Sequence, residues 1–583
     1  MLMDWRGGRE AGLVRQITGI GYQDFEEIRD GGIFYIDKTD FIREWWEYAD
    51  KVTLIARPRR FGKTLNMSML EKFFSVRFAG RRDLFEGLEI WKQEKYRKLQ
   101  GTYPVISLSF ANVKERTYKG AFWRISQIIS ELYSNNRFLL DGDLLSKEEK
   151  NYARSVSADM PEAAAAAAIH QLSKFLHDYY GKKVLIFLDE YDTPMQEAYV
   201  NEYWDELASF IRNMFNAAFK ANPYLERAVM TGITRIGKES IFSDLNNLEV
   251  VTATSEKYGD SFGFTEGEVF AALEAYGFAD RKKEVKKWYD GFTFGGKKDI
   301  YNPWSIINYL DKGKLGAYWA NASSNSLVGK LIQEGSKEIK IEMERLLSGK
   351  TLVAEIDEQL AYSQLSTKQN AIWSLLLASG YLKVVGYEGY GEDADEHFMP
   401  AEPKYELALT NLEVKIMFRV MIRDWFARSE DAYNDFVKAL LLGDLDAMNL
   451  YMNKVALSMF SYFDTGKNPG DGDPERFYHG FVLGLMAELS GRYVLASNRE
   501  SGFGRYDVML EPRRAEDDGI IMEFKVFQSK REKGLEDTAE AALKQIEEKK
   551  YESLLIEKGI PRERIRKYGF AFRGKEILIG GGR

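Results

Sequence analysis

The chain has 583 residues, 45% hydrophobic, 14% aromatic and 29% charged, far more than one core needs, so three or four domains are expected. With no cysteine and four scattered histidines (His170, His177, His397, His479), it excludes disulfides, thiolate zinc sites and cysteine nucleophiles, leaving carboxylates to hold any metal. A net charge of −8 argues against a general nucleic-acid coat. No apolar run nears the roughly 18 residues of a membrane helix and the first residues lack a signal pattern, so a soluble, cytoplasmic protein without a membrane partner is expected.

In chain order, a Gly-Gly turn leads into a short strand, Phe34–Ile36, and Asp37 is placed to cap an aromatic helix, Thr39–Tyr48. The apolar run Val52–Ala56 reads as a buried strand, followed by Arg57–Thr64 (RPRRFGKT) and by helical spacing at Leu65, Met69, Leu70 and Phe73. Strand, loop, Gly-Lys-Thr and helix in that order is the setting of a phosphate-binding loop, in which unpaired N–H groups and the helix dipole meet phosphate. Lys63 would reach the β- and γ-phosphates and Thr64 would sit on Mg²⁺, making Arg60, Phe61, Gly62, Lys63, Thr64 and Leu65 the candidate ATP-binding residues. The usual pattern begins with glycine, whereas Arg57 stands there, with Arg59 and Arg60 where small residues are normal. These eight residues alone fit a basic turn before an ordinary helix better.

Four further apolar runs, Tyr103–Phe110, Val184–Leu188, Arg227–Thr234 and Leu248–Thr254, complete a set of five strands separated by helical stretches, the count for a parallel α/β sheet. The alanine run Ala163–Ala168 reads as an exposed helix. The third strand ends in LDEYDTP, where Asp189 would hold Mg²⁺ through water and Glu190 would orient the attacking water. The fourth ends in TGITR: Thr234 is placed to sense the γ-phosphate, and Arg235 either supplies charge to it, in cis or in a neighbouring copy of a homo-oligomer, or is a plain surface arginine.

Beyond Thr254 the pattern turns helical (Phe264–Tyr276, Arg281–Tyr289, Lys297–Leu310) and reads as a small lid. A helix at Asn370–Ala378, strands Tyr381–Tyr387 and Tyr405–Leu409 and an acidic loop at Gly389–His397 suggest a winged-helix-like module. Thr465–Glu475 (TGKNPGDGDPE) is the clearest linker. After it come a helix, Phe477–Leu489, and a hairpin pairing Tyr506–Glu511 with Ile520–Phe527. Glu523 and Lys525 share one strand face while Met522 and Phe524 share the other. With Asp507 on the partner strand they form a carboxylate pair and a cation suited to a hard metal and a phosphodiester, and Gln545 follows on a helix. An exposed edge hairpin with a cross-strand ion pair is the plainer reading. Residues 476–583 hold 21 basic against 18 acidic residues, weak support for nucleic acid at that end.

Both ends resemble a known family. FYIDKT, RPRRFGKT, LDEYDTP, TGITRI and YNPWSIINYL, then FYHGFVLGL, SNRESGFGRYD, EFK and AALKQIEEKKY, are similar to bacterial predicted AAA-ATPase-like proteins with a C-terminal domain of the PD-(D/E)XK nuclease superfamily. The resemblance makes the arginine-rich loop ordinary for the family. It implies nuclease roles for Asp507, Glu523 and Lys525, with Gln545 accessory and Glu488, or else Glu500, as an added metal ligand. The expected layout is an α/β P-loop ATPase core (1–260), a helical lid (261–345), a winged-helix-like region (346–464), a linker (465–475) and a restriction-endonuclease-like α/β domain (476–583). The expected function is an Mg²⁺-dependent ATPase coupled to a metal-dependent nuclease acting on nucleic acid, DNA ahead of RNA. The alternative is a signalling or switch ATPase whose nuclease-like domain only binds nucleic acid or is structural.

Overall fold

A computed structural model describes residues 17–234, 241–242, 245–320, 328–329, 331–332, 337–347, 349–357, 371–389, 403–427, 433–459, 482, 486, 489, 492–501, 504–514, 516–529 and 531–582. The chain forms two compact units, Met1–Leu331 with Gly349–Lys415, and Ile332–Ser348 with Ile416–Arg583. The fold is α/β.

The first unit is built on five strands, β1 (Val52–Ala56), β2 (Val105–Ser109), β3 (Val184–Asp189), β4 (Leu225–Gly232) and β5 (Leu248–Val251), all parallel in the order β2-β3-β4-β1-β5. Strands β1 and β3 are buried along their whole length, which is why they are uninterrupted apolar runs. Strand β5 stops short of the expected Thr254 because the Ser255 hydroxyl accepts the Thr252 N–H. Placing β4 between β1 and β3 sets its end beside the acidic end of β3. On one face Trp45, Phe73, Phe74, Phe85 and Phe187 form an aromatic core, with Trp45 edge-on to Phe74 (5.5 Å) and Phe187 (5.8 Å). The alanine run differs from expectation: in the helix Glu162–Tyr180, Ala165 and Ala168 lie three apart on a buried face.

The lid combines helices Glu266–Ala275, Lys282–Tyr289 and Pro303–Lys312 with a small antiparallel sheet of β6 (Phe264–Thr265), β7 (Phe292–Phe294) and β8 (Lys297–Tyr301). The all-helical expectation overlooked Gly295-Gly296, a two-residue hairpin turn between short aromatic and polar runs. The next module pairs the helix Ala371–Ala378 with β9 (Leu352–Ala354), β10 (Leu382–Glu388) and β11 (Lys404–Leu409) in the order β10-β11-β9. Most of its expected acidic loop lies outside the described residues.

The second unit holds a mixed sheet of β12 (Tyr493–Ser501), β13 (Gly504–Pro512), β14 (Gly519–Val526), β15 (Ile565–Arg573) and β16 (Glu576–Gly582), with only β14 and β15 parallel. The helix Leu535–Glu548 crosses one face, so close that a side chain on Gly569 would meet the Ala539 carbonyl at 2.4 Å. Helices Tyr433–Leu442 and Leu445–Met459, expected in a separate domain before the linker, instead share this sheet's core through Phe436, Leu440, Met448 and Met452. Asn449 and Asn453, one turn apart, fix the second helix to edge strand β16. Their amides donate to the Ile579 and Ile577 carbonyls (2.9 and 2.6 Å) and accept from the same residues' N–H groups (2.7 and 2.9 Å). Two side chains thus satisfy an edge that would otherwise be open to another strand. The linker Thr465–Glu475 lies outside the described residues.

Candidate functional sites

In the first unit the helix Lys63–Phe74 starts directly from the loop after β1, and its N-cap Gly62 (φ 81°) and Arg60 (φ 60°) both adopt left-handed backbone. That geometry turns successive N–H groups the same way and forms an anion nest at a helix N-terminus. Lys63 Nζ, buried, donates to the carbonyls of Arg57 (3.0 Å) and Pro58 (3.1 Å) and lies 3.5 Å from Glu190 Oε1. The Thr64 hydroxyl donates to Asp189 Oδ2 at 2.8 Å, and the Thr231 hydroxyl donates to Asp189 Oδ1. Asp189 is 4% exposed, and burial, reinforced by the neighbouring Glu190 charge, raises its pKa above the usual carboxylate range. Glu190 itself sits at φ 54°, its N–H donating to the Thr231 hydroxyl (3.2 Å). A non-glycine residue held left-handed at a strand end is a strained placement of the kind functional sites keep.

These groups open on a cavity of about 800 Å³ within the first unit. Arg60 to Asn66, Asp189 and Glu190 line one part, Lys114 and Gln196 extend the polar side, and Ile20, Tyr22, Phe34, Ile36, Phe264 and Ile307 form an apolar wall. Mg²⁺ fits the donor set, because Thr64 and Asp189 offer adjacent hard oxygens and the buried carboxylate accepts from two neutral hydroxyls.

The three arginines do not share one role. Arg57 is wholly buried, its guanidinium 4.4 Å from the Phe294 ring centre and donating to the carbonyls of Ala56, Thr252, Lys257 and Tyr258. Burial lowers its pKa to about 9. It anchors the loop from behind and does not line the cavity. Arg59 donates to Gln196 Oε1 (3.1 Å), and Arg60 stacks 3.9 Å over Trp304. Phe61 lines the cavity and places its ring between Phe292 (4.7 Å) and Phe294 (5.5 Å). Thr234 is buried and is not among the residues that line the cavity. Its hydroxyl donates to Asp192 Oδ2 (3.2 Å), which also accepts the N–H groups of Ile233 (2.9 Å) and Thr234 (3.0 Å). The hydroxyl that meets the acidic pair is that of Thr231, and the buried carboxylate that holds the end of β4 is that of Asp192. Both lie inside quoted motifs, yet their roles depend on β4 lying next to β3. Arg235 lies outside the described residues.

In the second unit, β13 and β14 are interior strands, so Glu523 (2% exposed) is not on the open edge hairpin of the plainer reading. The register Val508↔Met522, carried one step on, sets Asp507 opposite Glu523. Asp507 Oδ2 accepts the Phe524 N–H at 2.9 Å. Gln545, on the helix above, bridges the other two groups: its Oε1 accepts from Lys525 Nζ (2.7 Å) and its Nε2 donates to Glu523 Oε1. The same Nε2 lies 3.2 Å from the hydroxyl of Tyr551, a buried residue whose pKa burial raises. Met522 and Phe524 point into the core on the opposite face. Asp507 and Glu523 are an oxygen-only pair that suits a hard divalent cation. Glu488 lies outside the described residues, and Glu500 falls on β12. Tyr551 went unrecognised, its only signal being its place in the AALKQIEEKKY run.

An arginine-rich P-loop with an acidic β3 end on a five-stranded parallel sheet defines a P-loop NTPase unit, and the second unit presents a nuclease-type carboxylate–lysine cluster. Residues 19–242 match the profile of the family described as predicted AAA-ATPase, and residues 473–581 that of the PD-(D/E)XK nuclease superfamily, the architecture expected from the motifs. The chain is 26% identical over 405 residues, 69% of each protein, to an uncharacterized protein in the vnfD 5′ region of Azotobacter chroococcum mcd 1. A comparison with the Aeropyrum pernix ORC2 protein in ADPNP–ADP complexes covers 66% of this chain and 92% of that one, at 10% identity and a TM-score of 0.22, too slight a likeness to carry an argument.

Proposed function

We propose that the chain binds and hydrolyses ATP with Mg²⁺ in the first unit and cleaves nucleic acid, DNA ahead of RNA, at the second, the ATP state gating the cleavage. The observation that supports the first half most strongly is the convergence of the Thr64 and Thr231 hydroxyls on Asp189 at the mouth of the nest, with the Glu190 N–H donating to Thr231 beside them. Lys63 and the nest N–H groups bind the phosphates, Glu190 orients the attacking water, and the apolar wall from Ile20 to Ile307 takes the base. Thr64 and Asp189 would hold Mg²⁺, which supplies charge neutralisation between the phosphates.

For the second half, Asp507 and Glu523 would hold a divalent cation that polarises the phosphodiester. Lys525, kept in place by Gln545, offsets charge developing on the phosphate, and Gln545 also fixes the rotamer of Glu523. The test uses the full chain: phosphate release from ATP, and cleavage of plasmid, linear DNA and RNA in Mg²⁺ or Mn²⁺, beside Lys63→Ala and Lys525→Ala. ATP turnover lost in Lys63→Ala and cleavage lost in Lys525→Ala are the expected results. Turnover without cleavage of any substrate, with or without ATP, sinks the nuclease reading and leaves a switch ATPase. A wild-type chain that neither binds nor hydrolyses ATP ends the ATPase reading.

A further inference from the structure

The phosphate-binding loop is also held by residues far beyond 19–242, the part of the chain matched to the ATPase family, and one of them, Trp304, itself lines the cavity. The Arg59 carbonyl accepts two hydrogen bonds from such residues, from Trp319 Nε1 (2.9 Å) and from Asn302 Nδ2 (3.4 Å). Arg60 stacks on Trp304, and Pro58 packs so tightly on Gly380 that a side chain there would meet its ring at 2.7 Å. Gly380 itself is left-handed (φ 82°), and its carbonyl accepts from the Thr410 hydroxyl at 2.7 Å.

Behind these contacts sits Glu413, a carboxylate 1% exposed at the start of the helix Leu412–Ala427. Its Oε1 accepts the N–H groups of Trp319 (2.6 Å) and Ala320 (3.3 Å), and its Oε2 accepts the Ser305 hydroxyl (2.8 Å). Glu413 therefore fixes the main chain of the residue whose indole holds Arg59, and also the helix that carries Trp304. A buried carboxylate without a basic partner among its hydrogen bonds is costly, so it stays only where several donors converge on it.

We propose that Asn302, Trp319 and Glu413 are positioning residues of the ATP site, acting as a latch that keeps the arginine-rich loop in its anion-binding conformation. The proposal rests on the ATPase reading and adds to it. The physical step is the rigidity of one peptide plane. In a trans peptide the carbonyl of Arg59 and the N–H of Arg60 point in opposite directions. Holding the carbonyl toward Asn302 and Trp319 with two donors points the Arg60 N–H away from those two residues. A flip of that plane would instead aim a carbonyl oxygen at the phosphates and remove one donor of the nest. A loop with glycine at its head keeps its shape through glycine's backbone freedom. Here arginine stands at the head, and the shape is held by Arg57 and by the latch.

The experiment measures Mg·ATP binding and steady-state ATP turnover of the full chain. Trp319→Phe keeps an aromatic ring between Phe292 and Tyr381 and removes the donor, together with part of the buried indole. Asn302→Ser keeps a neutral side-chain oxygen to cap the Trp304 and Ser305 N–H groups and removes the amide donor without adding charge. Each single variant is expected to weaken ATP binding and raise KM about fivefold, the size of one lost hydrogen bond, with kcat within about twofold and a melting temperature lowered by no more than a few degrees. Glu413→Gln, which loses the charge but keeps the shape, should move in the same direction. If Trp319→Phe alters folding, Asn302→Ser carries the test. Wild-type affinity and KM in both donor variants overturn the latch while leaving the ATPase reading intact. Absence of ATP binding by the wild-type chain overturns both.

Discussion

The two acidic sites each keep a carboxylate buried, with different neighbours. Asp189 is held by two hydroxyls, Thr64 from the helix after β1 and Thr231 from β4, and opens on a cavity large enough for a nucleotide. Glu523 is held by an amide that also carries the lysine, with Tyr551 behind it. Hydroxyl donors are small and neutral, so they satisfy a carboxylate without occupying the space a triphosphate needs. The Gln545 bridge instead ties acid and base into one rigid set, which suits a single scissile phosphate. The difference teaches that a cavity-side carboxylate is satisfied by small neutral donors, and a sheet-bound one by a bridging amide that also carries a cation.

The sharpest break in that comparison is Lys525→Ala, which should lower cleavage by about three orders of magnitude, the range of a lost charge-stabilising or proton-handling group, with ATP turnover unchanged. Gel-based cleavage rates beside phosphate release check it; equal loss of both activities would contradict the separation of the sites. Gln545→Ala removes only the bridge and should cost about ten- to a hundredfold in cleavage, with a higher metal concentration needed for half-maximal rate. Rescue at high Mn²⁺ would mark Gln545 as a positioning residue. On the other side, Thr231→Val should cut ATP turnover by about tenfold and lower stability by about 1–3 kcal/mol, since Asp189 keeps its burial and loses a donor. Denaturant unfolding of the full chain reads the stability change.

The smallest effect is a pH dependence in the first unit. Burial pushes the Glu413 pKa up to about 7, against hydrogen bonds from Ser305 and the Trp319 and Ala320 N–H groups that lower it. The folded chain then binds this proton more tightly than the unfolded chain does, so stability falls as pH rises from the ordinary glutamate range to about 7 and levels off above it. Glu413→Gln should flatten that slope between pH 5 and 7.5 in thermal melts. An unchanged slope would assign the dependence to other groups, such as Asp290, whose pKa burial beside Asp299 also raises to about 7.

Much of this was legible in the sequence. The apolar runs that became β1 and β3, the Gly-Lys-Thr helix start, Asp189-Glu190, and the alternation that sets Glu523 and Lys525 against Met522 and Phe524 are local patterns. Local patterns survive because backbone periodicity and capping act within a few residues. The hairpin turn at Gly295-Gly296 was equally local and was overlooked. The rest was not local. The adjacency of β3 and β4 that makes Thr231, not Thr234, the partner of Asp189 is a matter of strand order, which no single run of residues encodes. The grouping of Leu445–Met459 with the C-terminal sheet rests on two asparagines meeting an edge strand more than a hundred residues later.

By itself the sequence determined which residues carry charge and hydroxyls at strand ends and helix starts, and therefore what chemistry the two units hold. Only the tertiary structure decided what the three loop arginines do. It buries Arg57 against Phe294, stacks Arg60 on Trp304, and ties the Arg59 carbonyl to Asn302 and Trp319, some 240 to 260 residues further along the chain. The physical reason is that a side chain's role follows from the dielectric and the donors around it, and both are set by segments that folding, not sequence order, brings together.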